Sequence, residues 1–223
     1  MTPRETLENW RRAGRRVVHE ADAKDLLQRI GVPVPTREPF EGRCVAKLCH
    51  DDYPHKSDHG LVRLGLSPQE AGQAAAEMAA RIPGGTPLVE AMENDAVAEW
   101  IIGCKRDDTF GPIVLAGPGG ILVELIDAAE IRLAPTEQQT AEAMLHSGPA
   151  ARLLEGLRGG EPADRDALAQ LISRVSVFFA ENVDLISEIE INPVMVRADN
   201  KGLIAADALI VLAPAAEEQE HDT

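Results

Sequence analysis

Apolar and polar residues alternate along the segment ISEIEINPVMV, near the end of the chain. Glu188, Glu190 and Asn192 occupy every second position, with Ile189 and Ile191 between them. Because successive side chains of a strand point to opposite faces, this pattern predicts a strand that carries three oxygen-bearing side chains on one face. A sheet whose polar face meets solvent explains the same alternation, so spacing alone assigns no function.

Helices and short strands are predicted along the rest of the chain. Helical periodicity marks residues 19–30, 67–82, 136–146, 149–157 and 164–181. Strand-like runs separated by turn residues lie at 42–48, 86–92, 96–105, 111–117, 121–126, 185–196 and 202–212. A hairpin turn between the last two runs is predicted at Asn200 to Gly202.

The helix predicted at residues 67–82 has a complete start signal. Ser67 is suited to cap it, Pro68 to occupy its first position, and Glu70 to close a capping box. Its apolar stripe consists of Ala71, Ala74, Ala75, Met78 and Ile82.

The order of these elements predicts an α+β fold. One helix, several strands, a group of helices and a closing hairpin favour two interlocking lobes over a doubly wound sheet. A length of 223 residues suits one domain, or two lobes that share a core.

Charge and hydropathy narrow the classes of partner. The chain has 22 basic and 37 acidic residues and a formal charge of -15, which disfavours nucleic acid and anionic membranes as partners. No apolar run approaches the roughly 20 residues that span a bilayer, and the N-terminus lacks the apolar core of a signal peptide, so a cytoplasmic location is expected. The acidic tail at 213–223 is expected to be disordered.

The three cysteines give no sign of a disulfide or a metal site. Cys44, Cys49 and Cys104 are odd in number and form no C-x-x-C pair, so neither a disulfide framework nor a zinc site is indicated.

Two charged residues lie where the sequence is otherwise apolar. Asp207 lies within the apolar segment IAADALIVL, and burying its carboxylate is costly unless a cation or a hydrogen-bond donor meets it. Mg²⁺ would do so, because it prefers oxygen ligands and is usually held by one or two carboxylates together with phosphates and water. Lys47 ends an apolar strand, where a snorkelling surface lysine is the simpler alternative to a functional one.

A family resemblance links these residues. The segment EIEINPVMV and the later GLIAADALI resemble the end of ATP-grasp domains of the succinyl-CoA synthetase type, especially the nucleotide-binding part of NDP-forming acyl-CoA synthetases. Four further segments resemble the family in the same order: EADAKDLLQRIGVPVP, VAKLCHDDYPHKSDHG, FGPIVLAGPGG and RLLEGLRGGEPADRDAL. One such match would be weak evidence, but five in order are specific.

The resemblance implies an ATP-grasp fold, with two α/β lobes and a nucleotide between them. Residues 19–212 would form this domain, residues 1–18 an N-terminal extension and residues 213–223 the tail. The glycines of GPGG are not followed by a lysine, since Gly120 leads into Ile121, so a P-loop and a Rossmann fingerprint are both excluded.

The resemblance also implies roles for individual residues. Asn192 and Asp207 match ligands of Mg²⁺, and Glu190 matches an acidic residue of the same motif. Lys47 matches a lysine that contacts nucleotide phosphates, and His55 would relay a phosphoryl group, for which a neutral ring nitrogen is a suitable nucleophile.

The remaining implied nucleotide contacts are spread along the chain. Glu90 and Met92 match the interlobe hinge that faces the base, and Glu99 an acidic residue that meets the ribose. The residues matching phosphate-facing regions are Lys56, Arg106, Gly119 and Gly120.

By resemblance, the function is that of an ATP-grasp subunit of an NDP-forming acyl-CoA synthetase, such as an ADP-forming acetate-CoA ligase. Such a subunit uses ATP or ADP with Mg²⁺, passes through acyl phosphate and phosphohistidine, and needs a CoA-binding partner subunit. The chain departs from the family pattern at His50, Leu61 and Pro118. These departures favour the alternative of a non-catalytic nucleotide-binding or regulatory subunit. An ATP-grasp carboxylate-amine ligase acting alone is a third alternative, disfavoured because the HKSD and RGGEP segments resemble the CoA-linked branch.

Overall fold

Two β-sheets organise the computed structural model, which describes residues 1–37, 41–50, 53, 56, 58–119, 128–156 and 159–214. The strands are β1 (Val17–Val18), β2 (Cys44–Cys49), β3 (Val62–Leu66), β4 (Thr86–Ala91), β5 (Ala96–Asp107), β6 (Gly111–Pro118), β7 (Glu130–Leu133), β8 (Ile186–Arg197), β9 (Leu203–Ala205) and β10 (Ala208–Leu212). The α-helices are α1 (Pro3–Arg12), α2 (Glu20–Arg29), α3 (Pro68–Arg81), α4 (Gln138–His146) and α5 (Arg165–Glu181).

The larger sheet has seven strands, all antiparallel to their neighbours. Its order is β1-β10-β8-β5-β6-β7, and β9 also pairs with β8. One face is buried against α2 and α5, and α4 packs on α5. The opposite face of β8 carries the polar side chains of that strand.

The smaller sheet has the order β3-β2-β4 and packs against α3. Its separate core contains Leu48, Leu61 and Met78, together with small residues of β2 and α3. The link at residues 92–95 joins this lobe to the larger sheet. The described residues thus show the two-lobed α+β organisation that the sequence predicts.

The start of α3 confirms the predicted capping box. Ser67 Oγ accepts the Glu70 N–H at 3.4 Å, while Glu70 Oε2 accepts the Ser67 N–H at 2.8 Å. The predicted alanines and Met78 are buried, and Ile82, just beyond the end of the helix, is partly buried against the same core. These contacts dock α3 on the smaller sheet.

Two predicted elements differ from the structure. Residues 149–155 form a 3₁₀ helix rather than an α-helix, between Gly148 and Gly156, which both have a positive φ. The last predicted strand is divided into β9 and β10 because residues 206 and 207 leave the ladder. The run predicted at 121–126 lies outside the described residues.

The first eighteen residues belong to the lobe of the larger sheet: helix α1 contributes to its core, and β1 forms one of its strands. Leu7 of α1 is fully buried in its core, and β1 pairs with β10 through Val17 and Val211. Arg4 on α1 pairs with Asp184 at 2.7 Å. No helix among the described residues is both long and apolar enough to traverse a lipid bilayer.

Candidate functional site

Strand β8 places its oxygen-bearing side chains as the alternation predicts. Ile189 and Ile191 are fully buried, whereas Glu190 and Asn192 on the opposite face are half-buried. The Asn192 amide lies 3.4 Å from Glu190 Oε1, and the Asn192 N–H donates to the backbone oxygen of Asp207 at 3.3 Å. The gap between β9 and β10 therefore brings Asp207 beside Asn192.

A group of buried charges adjoins this point. We call it the lysine-carboxylate cluster; its members are Glu20, Lys24, Lys47, Lys56, Glu90 and Asp207. They come from α2, β2, the segment after β2, β4 and the β9–β10 connection, so the cluster joins the two lobes.

Three lysines converge on Glu20, which is buried at the first position of α2. Lys24 Nζ lies 2.6 Å from Glu20 Oε1, and Lys47 Nζ donates to the same oxygen. Lys56 Nζ lies 3.0 Å from Glu20 Oε2. Glu20 Oε2 accepts no hydrogen bond of good geometry, so its contact with Lys56 is an ion pair only.

The carbonyl oxygen of Ala206 accepts hydrogen bonds from two of these lysines. Lys24 and Lys47 each donate to it at 2.7 Å. Lys24 also donates to Glu90 Oε2 at 2.6 Å, whereas Lys47 lies 3.5 Å from that oxygen. Each of these two ammonium groups therefore has three oxygen neighbours within the protein.

Lys56 connects the cluster to the β8 site. Its Nζ lies 2.9 Å from Asp207 Oδ2 and 3.1 Å from Oδ1. Its side chain is 11% exposed and that of Asp207 is 28% exposed, so this pair forms the open edge of the cluster.

The cluster shifts the proton affinities of its members. Burial and the neighbouring Glu20 raise the pKa of Asp207 to about 6, against the opposing attraction of Lys56 and Lys47. Burial alone would raise the pKa of Glu20, but the surrounding lysines outweigh it and lower that pKa. Burial lowers the pKa of Lys24, whereas attraction by Glu20, Asp207 and Glu90 overcomes burial and raises the pKa of Lys47.

A cavity of about 720 Å³ lies where β5 begins, near the interlobe link. Glu99, Gly119 and Met195 are among its lining residues. Glu99 and Met195 are register partners. A register shift between Trp100 and Ile102 places one extra residue of β8 between Ile191 and Val194, which are both buried on the core face, so Met195 shares the sheet face of Asn192. Met195 is three positions from Asn192, which corresponds to roughly 10 Å along a strand.

The predicted residues do not all join this arrangement. Lys47, Lys56, Glu190, Asn192 and Asp207 come together, and Glu99 with Gly119 lines the adjacent cavity. Met92 begins the link between the lobes and is half-buried. His55 and Gly120 lie outside the described residues.

Glu90 belongs to the lysine-carboxylate cluster. Its carboxylate is buried and bound by Lys24, and Arg37 Nε lies 3.2 Å from its other oxygen. Both oxygens are therefore engaged inside the protein, and the nucleotide contact expected of Glu90 stays a prediction.

The register of β5 also gives the sheet face of Arg106, whose expected phosphate contact stays a prediction. Gly103 pairs with Glu190 and Lys105 with Glu188, so the side chain of Lys105 shares the face of the site. Arg106 follows on the same strand and points to the opposite face.

Gly119 has a packing explanation. A Cβ there would lie 2.7 Å from the carbonyl carbon and oxygen of Trp100. The Gly119 N–H donates to the Glu99 carbonyl at 2.9 Å, which holds this close approach. The glycine is thus needed for contact between neighbouring chain segments.

The three departures from the family pattern each have a defined local environment. Leu61 is fully buried in the core of the smaller sheet. Pro118 ends β6 opposite Trp100. The His50 ring packs at 57° against Tyr53, with centroids 5.2 Å apart.

The site chemistry fits a hard cation only in combination with a ligand. Asn192, Asp207 and Glu190 offer the oxygen donors that Mg²⁺ prefers. Within the part of the chain that is described, no three His, Cys, Asp or Glu side chains are grouped to hold a metal by themselves. Phosphate and water oxygens would have to complete the shell, which is the usual mode for Mg²⁺.

Comparisons with known proteins cover nearly the whole chain. The ATP-grasp domain family model matches residues 9–212. The β subunit of acetate–CoA ligase [ADP-forming] II from Pyrococcus furiosus is 31% identical over 220 residues, which cover 89% of this chain and 93% of that one. Acetate–CoA ligase [ADP-forming] I from Archaeoglobus fulgidus is 36% identical over 182 residues, 78% of this chain but only 25% of that protein.

A solved structure agrees in fold. The dinucleotide forming acetyl-coenzyme A synthetase 1 of Ca. Korarchaeum cryptofilum, in complex with coenzyme A and Mg-AMPPCP, superposes with a TM-score of 0.81 and 32% identity. The match covers 95% of this chain and 100% of that one, and that structure has its phosphohistidine segment pointing towards the nucleotide binding site. The expected two-lobed fold is confirmed.

Proposed function

This chain belongs to the ATP-grasp domain family, and we propose that it is the nucleotide-binding subunit of an NDP-forming acyl-CoA synthetase. The observation that carries the proposal is the convergence of Lys47, Lys56 and Asp207 beside Asn192. Cationic groups for phosphates and oxygen donors for a divalent cation thus adjoin each other between two lobes.

Lys56 and Lys47 are the proposed phosphate-binding side chains. Lys56 is the more accessible of the two, and two of its three described oxygen contacts are to Asp207, so they are released if Asp207 turns to a cation. Lys47 can exchange its long 3.5 Å contact with Glu90 for a phosphate oxygen while it keeps its other two partners. The site therefore supplies two fixed positive charges to an incoming anion.

Asn192 and Asp207 are the proposed protein ligands of Mg²⁺, with Glu190 beside them. The cation would neutralise phosphate charge and orient the nucleotide. Binding requires Asp207 to leave Lys56, which is then available to the phosphates.

The cavity beside Glu99 and Met195 is the proposed place of the nucleoside. It lies on the sheet face of Asn192 and near the interlobe link that begins at Met92. Glu99 is exposed and provides a carboxylate for ribose hydroxyls, and Met195 provides apolar surface. ATP or ADP would thus extend from this cavity towards Lys56.

The overall reaction requires a partner with CoA-binding and ligase chemistry. This chain spans a quarter of the single-chain relative from A. fulgidus but nearly all of the β subunit from P. furiosus. We propose that His55 takes the terminal phosphoryl group of ATP, which releases ADP, and passes it to a histidine of that partner. The carboxylate would then take the phosphoryl group from the partner's histidine to give an acyl phosphate, from which the CoA thiol would displace phosphate. ATP and carboxylate with CoA would be interconverted with ADP, phosphate and acyl-CoA.

Calorimetry with ATP, ADP and GTP, each with and without Mg²⁺, tests the nucleotide site. We expect Mg²⁺-dependent binding that Asn192→Ala and Asp207→Ala each weaken strongly. Asp199→Ala is a matched control, because Asp199 is exposed and lies outside the cluster. Unchanged affinity in both site variants would remove the metal assignment, and failure of the wild-type chain to bind any nucleotide would count against the function.

A non-catalytic nucleotide-binding subunit is the second candidate. It is favoured by one observation: each donor of Lys47 already faces an oxygen of the protein. Mixing the chain with a CoA-binding subunit and measuring ADP-dependent conversion of acyl-CoA separates the two. Turnover that depends on His55 eliminates the non-catalytic function, and binding without turnover supports it.

A further inference from the structure

We infer that Glu20 is a positioning residue that holds Lys47 and Lys56 in place for the nucleotide phosphates. The inference rests on the proposed nucleotide site and assigns a role to a residue with no contact to the solvent. Glu20 acts through the two lysines, since its own side chain is fully buried behind them.

The geometry makes Glu20 the common support of the lysines. One carboxylate oxygen accepts from Lys47 and Lys24, and the other faces Lys56 at 3.0 Å. Glu20 lies in the first turn of α2, where the helix dipole favours a negative charge. The carboxylate is therefore fixed by its helix as well as by its three cationic neighbours.

The need for Glu20 increases when a metal binds. Asp207 and Glu20 are the carboxylates that pair with Lys56 in the described structure. If Asp207 turns to bind a cation, Glu20 is the carboxylate that still pairs with Lys56. Without it, the buried ammonium group would depend on the ligand alone for its counter-charge.

Lys24 differs from Lys47 and Lys56, because it holds Glu20 in place but cannot contact a ligand. It is fully buried, and its three partners are Glu20, Glu90 and the Ala206 carbonyl. Since no N–H group of Lys24 is left for a ligand, this lysine fixes Glu20 from behind. The cluster thus has an inner pair, Glu20 with Lys24, and an outer pair of lysines that faces the site.

A role confined to stability has a different signature. Loss of general structural support would lower the affinity for every nucleotide by a similar factor. Loss of lysine positioning would weaken the binding of each ligand according to the number of phosphates that it presents, because no member of the lysine-carboxylate cluster lines the proposed nucleoside cavity. The ratio of ATP to AMP affinity therefore separates the two roles.

The test uses Glu20→Gln in the complete chain, which keeps the size of the side chain and removes its charge. ATP, ADP and AMP are compared with Mg²⁺ present, by competition against a fluorescent ATP analogue so that weak ligands are also measured. We expect ATP affinity to fall by about tenfold to a hundredfold, ADP less, and AMP by less than about twofold. Asp184→Asn, which removes a charge from the exposed pair with Arg4, is the matched control and should bind like the wild type.

Thermal unfolding shows whether each variant is folded. If Glu20→Gln does not fold, Glu20→Gln combined with Lys24→Met removes one charge of each sign from the inner pair and is tested instead. An equal loss for all three nucleotides, or no loss, overturns the inference while nucleotide binding by the wild type still supports the proposed function. Absence of ATP binding by the wild type would instead remove the function on which the inference rests.

Discussion

Lys56 and Asp207 are 151 positions apart in the chain, and their side chains form an ion pair of 2.9 Å. The lysine follows a strand of the smaller sheet, and the aspartate lies between two strands of the larger one. A cationic side chain and a carboxylate thus come from opposite lobes, which suits the proposed binding of a metal-bound phosphate between them.

Removing the charge of Lys56 should weaken nucleotide binding. In Lys56→Met, the charge-assisted contact to phosphate is lost, and Mg-ATP affinity should fall by about tenfold or more. Calorimetry measures the change. Arg63→Met removes a cation of the same lobe whose partner is the exposed Glu77, and it should leave affinity unchanged. Equal effects of the two substitutions would contradict a local role for Lys56.

Asp207 should make both stability and metal binding depend on pH. Its pKa is raised from 3.8 to about 6, so the folded chain holds this proton more tightly than the unfolded chain does. The stabilisation from protonated Asp207 is fully present below about pH 4 and is lost as the pH rises through about 6. In Asp207→Asn this contribution is absent, so the wild type should lose stability relative to the variant over that interval.

Chemical denaturation of both proteins at pH 4, 5, 6 and 7 measures this difference, and a constant difference would argue against the shifted pKa. The proposed Mg²⁺ site uses the ionised carboxylate of Asp207, so Mg²⁺-dependent ATP affinity of the wild type should increase as the pH rises through about 6. Affinity in the absence of Mg²⁺ is the internal control.

Gly119 should be required for packing. Gly119→Ala places a Cβ against the backbone of Trp100, and we expect a loss of about 1–3 kcal/mol in unfolding free energy. Gly72, within α3, has no atom within 4 Å of an added Cβ. Gly72→Ala should therefore stabilise the chain by about 0.5–1 kcal/mol, because alanine favours the helix. Denaturation curves that show the same sign for both would refute this distinction.

Lys105 and Arg106 offer a test of strand register. Lys105→Glu places a negative charge on the face shared with Glu190 and should weaken ATP binding several-fold, whereas Arg106→Glu points away and should do less. Competition binding at low and high salt measures both effects, and the difference should decrease at high salt. A larger effect of Arg106→Glu would mean that the phosphates lie at the other face.

Local patterns were enough to predict several elements. Alternation around Glu190 identified the polar face of β8, and the signal at Ser67 identified the start of α3, because both depend on residues close in sequence. Alternation singles out Asn192 and an apolar setting singles out Asp207, whereas their metal-binding role is implied only by resemblance to a family motif and stays a prediction.

The buried cluster could not be predicted in this way. Glu20 and Lys24 are four positions apart, a spacing that usually indicates an exposed pair on a helix. Their burial results from β2, β4 and the Ala206 carbonyl, which are distant in sequence. The same long-range packing buries Glu90, whose position in a strand gave no sign of its partners.

The pairing of β1 with β10 also sets an order of events during synthesis. Strand β10 lies between β1 and β8, so β1 has no sheet edge to join until β10 has been synthesised. Among the described strands, the first in sequence therefore depends on the last for its pairing, and a nascent chain halted before β10 would leave β1 unpaired.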